Sequence, residues 1–119
     1  MVTSDLSARI NDVLRYVGIT RNMNAYMILS QALTLIAEDE DRLRAVEKEI
    51  YTPIADKTLR GPRAVQSTVR RASKVAWDSF PDRVQELAGY PLNGRPSAVA
   101  MLELLYNGVA RYDDISILK

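Results

Sequence analysis

The sequence predicts an all-α fold: a single compact domain of six to seven helices that contains a helix-turn-helix. Three observations lead there. Apolar residues recur at three- and four-residue spacing through each long segment, which is the period of a helix face. Start and stop signals such as Gly18, Gly61-Pro62, Pro81, Gly89 and Ser97 cut the chain into helical lengths. A chain of 119 residues can bury one hydrophobic core but not two.

In the first helix Leu6, Ile10, Val13, Leu14 and Val17 share a face, Thr3, Ser4 and Asp5 offer caps, and Gly18 ends it. A second helix begins after Thr20 and carries Tyr26, Met27, Ile28, Leu29, Ala32, Leu33, Leu35 and Ile36. It is apolar over much of its circumference, which marks it as the central, most buried helix. Met23 and Met27 read as core filler. Asp39 or Asp41 caps a third helix holding Leu43, Val46 and Ile50. The run Glu38-Asp39-Glu40-Asp41 resembles a cation site, but successive helical residues point in different directions and the calcium-loop glycine is missing. No metal site and no cofactor are expected.

Thr52 to Trp77 is the stretch with the most functional content. Thr52-Pro53 reads as a hydroxyl cap followed by proline at the first helical position, where a missing N–H costs nothing. Gly61-Pro62 repeats the arrangement nine residues later, so a short helix and a tight turn lead into a longer helix. Val65, Val69, Ala72, Val75 and Ala76 mark the buried face of that longer helix, and Trp77 continues it as a core anchor. The other face carries Arg63, Gln66, Ser67, Arg70, Arg71 and Lys74. A short helix, a turn and an amphipathic helix with a polar, basic outer face is the pattern of a DNA-binding helix-turn-helix.

Beyond it, Asp78 to Pro81 breaks the long helix, and Val84, Leu87 and Ala88 form a short one ending at Gly89. Tyr90 to Pro96 is a loop; its Asn93-Gly94 would suggest a hairpin only if strands flanked it. Ser97 caps a last helix with Met101, Leu102, Leu104 and Leu105, which Gly108 stops unless Val109 to Tyr112 extend it. The tail from Ile115 to Lys119 is apolar.

Charge is concentrated. Residues 57–77 hold Lys57, Arg60, Arg63, Arg70, Arg71 and Lys74 and no acid, a local charge of +6, whereas residues 1–56 carry −3 and residues 78–119 carry −2. The near-neutral total of +1 therefore hides one basic element on a mildly acidic body. Such an element gathers positive potential where phosphates dock, and the acidic remainder discourages unspecific coating of nucleic acid. A solvated surface helix that happens to be basic is the plain alternative.

With no histidine and no cysteine, the chain lacks the commonest general base, the thiol nucleophile and the usual transition-metal ligands. No Gly-rich loop opens a helix after a strand, so an enzyme is not expected. No apolar run approaches a membrane span and the N-terminus lacks a signal-peptide pattern. The expected location is cytoplasmic, which the absence of cysteine suits.

Within the longer helix, Arg63, Ser67, Arg70 and Lys74 fall at i, i+4, i+7 and i+11 along one stripe, flanked by Gln66 and Arg71. Arg70 sits mid-helix and can fork onto guanine O6 and N7; Gln66 can read adenine, and Ser67 several bases. Arg60, Arg63, Arg71 and Lys74 suit phosphate contacts that set register without reading sequence.

The run Val-Arg-Arg-Ala-Ser-Lys-Val-Ala-Trp at 69–77, preceded by Tyr51 and Ile54-Ala55, resembles the C-terminal DNA-binding effector domain of the sporulation response regulator, the stage zero sporulation protein A family. Val17-Gly18-Ile19, Tyr26 with Leu29 and Ala32, Gly89-Tyr90, and Pro96 agree in order and spacing. The similarity runs from about Ile10 to about Arg111, with a small length change after Trp77. It implies a transcription regulator that binds repeated boxes on double-stranded DNA as a homodimer and contacts RNA polymerase through its sigma subunit. Family members carry an N-terminal phosphorylatable receiver domain; residues 1–119 contain none, and Met1 lies close to the domain start. The family's base-reading pattern Arg-x-Glu-Arg-x-x-Arg falls on Ala64, Gln66, Ser67 and Arg70, of which only Arg70 is retained, so the family's DNA box is not expected to carry over. The alternative from another class is a helical protein-interaction module of the same fold that has lost specific DNA binding. The missing base-reading groups favour that alternative, and the surviving +6 segment opposes it.

Overall fold

The apolar spacing condenses into six α-helices among the described residues, with no strand between them. The structure is a computed structural model and describes residues 2–114. The helices are α1 (Val2–Tyr16), α2 (Asn24–Glu38), α3 (Thr52–Thr58), α4 (Pro62–Ser79), α5 (Pro81–Ala88) and α6 (Ala98–Ala110). The expectation for the tail from Ile115 lies outside the described residues.

α2 is the centre, as its breadth of apolar residues suggests: Ile28, Leu29, Ala32, Leu33 and Ile36 are all fully buried, and the helix packs against α1, α4 and α6. It starts at Asn24, one turn later than Thr20 suggests, and Met27 points outward with 47% of its surface exposed. α1 already includes residues 3–5 in its first turn, so Asp5 lies inside the helix rather than before it. It ends in a Schellman turn: the Gly18 amide donates to the Arg15 carbonyl at 3.0 Å and the Ile19 amide to the Leu14 carbonyl at 2.9 Å. Gly18 has φ +89°, and a Cβ there would lie 2.9 Å from the Phe80 ring, so both backbone and neighbour demand glycine.

The expected third helix breaks in two. Asp39 does cap, accepting from the Asp41 amide at 3.0 Å, but the element it caps is a 3-10 helix, Glu40–Arg44. After Ala45 a π-helical turn, Glu47–Tyr51, runs directly into α3. Thr52-Pro53 is therefore not a helix start, because Tyr51 and Thr52 both have right-handed helical dihedrals. Proline inside a helix removes a donor to the carbonyl four residues back. Here that carbonyl belongs to Glu49, and it accepts instead from Arg42 Nη1 at 2.8 Å. The π-turn and this distant arginine together make the proline tolerable.

The acidic run around residue 39 is dispersed over different partners. Glu38 faces Arg42 at 4.0 Å, Asp41 faces Arg44 at 3.9 Å, and Glu40 accepts from the Tyr106 hydroxyl at 3.0 Å. α5 ends at Gly89 as expected, and Ser97 caps α6 by accepting from the Ala100 amide at 3.1 Å. α6 continues through Gly108, where a Cβ would lie 2.8 Å from Leu87 Cδ2; the glycine serves the close approach of α5 and α6 rather than a stop.

Candidate nucleic-acid interface

α3 ends where Leu59 turns left-handed at φ 58°, ψ 30°, and the Arg60 amide donates to the Ala55 carbonyl at 3.2 Å. Leu59 is the single non-glycine residue with positive φ among the described residues, and 94% of its surface is exposed. Gly61 is extended (φ −75°, ψ 155°), its carbonyl accepts from the Ala64 and Val65 amides, and Pro62 takes the first position of α4. The geometry is thus a short helix, a three-residue turn of Leu59, Arg60 and Gly61, and an 18-residue helix.

α4 is held from four sides, by α2, α3, α5 and α6. Its buried face consists of Val65, Thr68, Val69, Ala72, Ser73 and Ala76. Two of these are polar residues that the apolar pattern passes over, and both are satisfied. Thr68 donates to the Ala64 carbonyl at 3.0 Å, and Ser73 donates to the Pro96 carbonyl at 2.8 Å, tying α4 to the loop before α6. Two expected core residues sit differently. At about 100° per residue Val75 falls in phase with Thr68 and Arg71, at the edge of the buried face, and is 43% exposed. Trp77 falls at the opposite edge, beside the phase of Gln66, and only partly packs against the core.

Arg63, Ser67, Arg70 and Lys74 lie within about 60° of one another around the helix, with Arg71 to one side and Gln66 to the other. All are exposed except Ser67, which is half-buried. Arg60 and Arg71 flank one groove of about 290 Å³ between the start of α2 and α4, together with Asn24 and Val75. The structure therefore brings Arg60 to Arg71 and Ser67 to Arg70, whose Nη2 lies 3.4 Å from Ser67 Oγ. Lys74 is engaged: its Nζ is 2.6 Å from Asp78 Oδ2, an acid one residue beyond the acid-free window.

Outside this face six arginines are spent on the protein itself, Arg95 and Arg111 being the exceptions. Arg9 pairs with Asp113, Arg15 with Asp12 and Arg44 with Asp41, Arg21 donates to Asn11, Arg42 braces Glu49, and Arg83 donates to the Tyr16 carbonyl. By contrast Lys57, Arg60, Arg63 and Arg71 have no ion pair or side-chain hydrogen bond among the described residues. No acid occupies the first turn of α4, where Arg63 sits against the positive end of the helix dipole, an arrangement that does nothing for the isolated fold.

Beneath this face lies a residue that sequence reasoning uses only as a landmark. Tyr51 is 3% exposed, and its hydroxyl is buried with no hydrogen-bond partner. Burial pushes its phenol above the ordinary value, and the nearby Arg70 charge partly offsets that. Sequence reasoning counts Lys57, which lies outside the long helix, only toward the charge of the basic segment, and gives no role to Leu59, whose exposure depends on a left-handed turn.

Among the described residues no helix is long and apolar enough to cross a membrane, and no group of three or more metal-ligating side chains gathers. Residues 10–109 match the family model described as sporulation initiation factor Spo0A C terminal.

Proposed function

Since the chain belongs to the family of sporulation initiation factor Spo0A C-terminal domains, a family of DNA-binding effector domains, we propose that it is a sequence-specific transcription regulator that inserts α4 into the DNA major groove. One observation supports this most: Lys57, Arg60, Arg63 and Arg71 have no ion pair or side-chain hydrogen bond among the described residues, while Arg9, Arg15, Arg21, Arg42, Arg44 and Arg83 are engaged. Charges held free in this way suit phosphate oxygens, with counterion release as the driving force.

In this reading α3 and α4 form the helix-turn-helix of residues 52–77. Arg70, with Gln66 and Ser67, reads base edges, and Arg60, Arg63, Arg71 and Lys74 hold phosphates. Ala64 and Gln66 are exposed and Ser67 is half-exposed, so each stands where a longer group could reach DNA. Pairing of two copies on repeated boxes and contact with the sigma subunit of RNA polymerase belong to the same proposal and rest on family membership.

Selection of bound sequences from random duplex DNA, with competition against the family's box and a scrambled box, tests the reading. The native chain is expected to discriminate poorly for the family box. Ala64→Arg, Gln66→Glu and Ser67→Arg together are expected to gain several kcal/mol for it, at about 1–3 kcal/mol per well-placed bidentate contact. A folded triple variant that gains nothing would show that α4 does not lie in the groove. Absence of salt-sensitive duplex binding would favour instead a protein-interaction module, for which the lost base-reading groups speak.

A further inference from the structure

We propose that Tyr51 is a positioning residue for base readout, its buried hydroxyl accepting from the Arg70 guanidinium when α4 engages DNA. The inference rests on the reading of Arg70 as a base-reading residue. Tyr51 belongs to the π-turn that packs on α4, and its hydroxyl is shut from water without a partner. A buried unpaired phenol is uncommon, because removing the group from water without compensation is unfavourable. The phenol oxygen is a hydrogen-bond acceptor held in place by its burial, near enough to Arg70 to feel its charge.

Arg70 in the free protein has only a long contact to Ser67 Oγ, 3.4 Å, and its guanidinium is exposed and loosely held. A guanidinium has five N–H donors in a rigid fork. Two of them suffice for guanine O6 and N7, which leaves donors for a group behind it. A hydrogen bond to Tyr51 would fix the plane of the fork and give the orphan hydroxyl oxygen a donor in the same step. The π-turn supplies the placement: it offsets Tyr51 from regular α-helical phase in a segment that packs on α4, within electrostatic reach of Arg70.

The test is a double-mutant cycle with Tyr51→Phe, Arg70→Ala and both together. The probes are a duplex selected by the native chain from random sequence and a scrambled duplex of equal length. Tyr51→Phe is expected to lower the selected-over-scrambled preference by about threefold to tenfold in the native background and not at all in the Arg70→Ala background. Affinity for the scrambled duplex and its salt dependence should stay unchanged. Thermal melting controls for folding, and the Phe variant should melt no lower than the native chain, since it removes an unpaired buried hydroxyl. Full preference retained by Tyr51→Phe, or an equal loss in both backgrounds, overturns the positioning role while leaving Arg70 as reader. No loss of preference on Arg70→Ala overturns the reader assignment and the positioning role with it.

Discussion

The face built by the turn and α4 and the surface built by α1 and the 3-10 turn Tyr112–Asp114 after α6 use charge in contrary ways. On the latter surface, Arg9 stacks over Tyr112 and pairs with Asp113, the Tyr112 hydroxyl donates to Asp12, and Arg15 pairs with the same Asp12. Charge there closes the structure on itself. On α4, Arg63, Arg70 and Arg71 are exposed and make no ion pair among the described residues, and Asp78 pairs with Lys74 alone. Exposed ion pairs contribute little to stability, about 0–1 kcal/mol, so the difference teaches less about folding than about what each surface is kept free to meet.

The largest effect that can break this comparison is salt. If about four to six phosphates are neutralised, affinity for any duplex should fall about 10²–10³-fold between roughly 50 and 200 mM salt. A titration with no such fall would make the two surfaces equivalent. Next is Arg42→Ala, which removes the donor to Glu49 and should cost about 1.5–3 kcal/mol in denaturant unfolding while leaving the slope of log K against log salt untouched. Arg71→Ala should do the reverse, leaving stability within about 0.5 kcal/mol and flattening that slope by about one unit. Lys74→Ala should flatten it by less, because the Asp78 pair must open before Lys74 can serve a phosphate.

The smallest test is alkaline. The Tyr106 phenol is pushed above its ordinary 10.0 by burial and then by its bond to Glu40, and the Tyr112 phenol by its bond to Asp12 and then by burial. Their raised folded values mean that this stability is whole below pH 10 and is lost as pH rises through them. Replacing both with phenylalanine should therefore make the melting temperature less sensitive to pH above about 10, as a melting series would show.

The helices are legible because a 3.6-residue period imposes itself on every buried face, and α2, α5 and α6 follow it. Pro53 misleads because the residue that permits it, Arg42, lies eleven residues away in a segment with its own local logic. Val75 and Trp77 fall at the edges of the buried arc, where neighbours on other helices decide exposure. The stripe of Arg63, Ser67, Arg70 and Lys74 is readable from spacing alone. The engagement of Lys74 follows from its i,i+4 spacing to Asp78 only once α4 runs on to Ser79, past the break expected at Asp78, and the orphan hydroxyl of Tyr51 depends on tertiary contacts that spacing does not encode.

The brace between Arg42 and the carbonyl orphaned by Pro53 also has an evolutionary consequence. The two residues are expected to be epistatic, because the Arg42 bond serves the carbonyl that Pro53 leaves without a helical donor. Restoring an amide with Pro53→Ala would supply Glu49 with a backbone donor and release Arg42 to drift, whereas losing Arg42 first would strand the carbonyl. The order of substitution therefore matters: replacing Pro53 first leaves Glu49 served, replacing Arg42 first does not, so the arginine is constrained for as long as the proline stays.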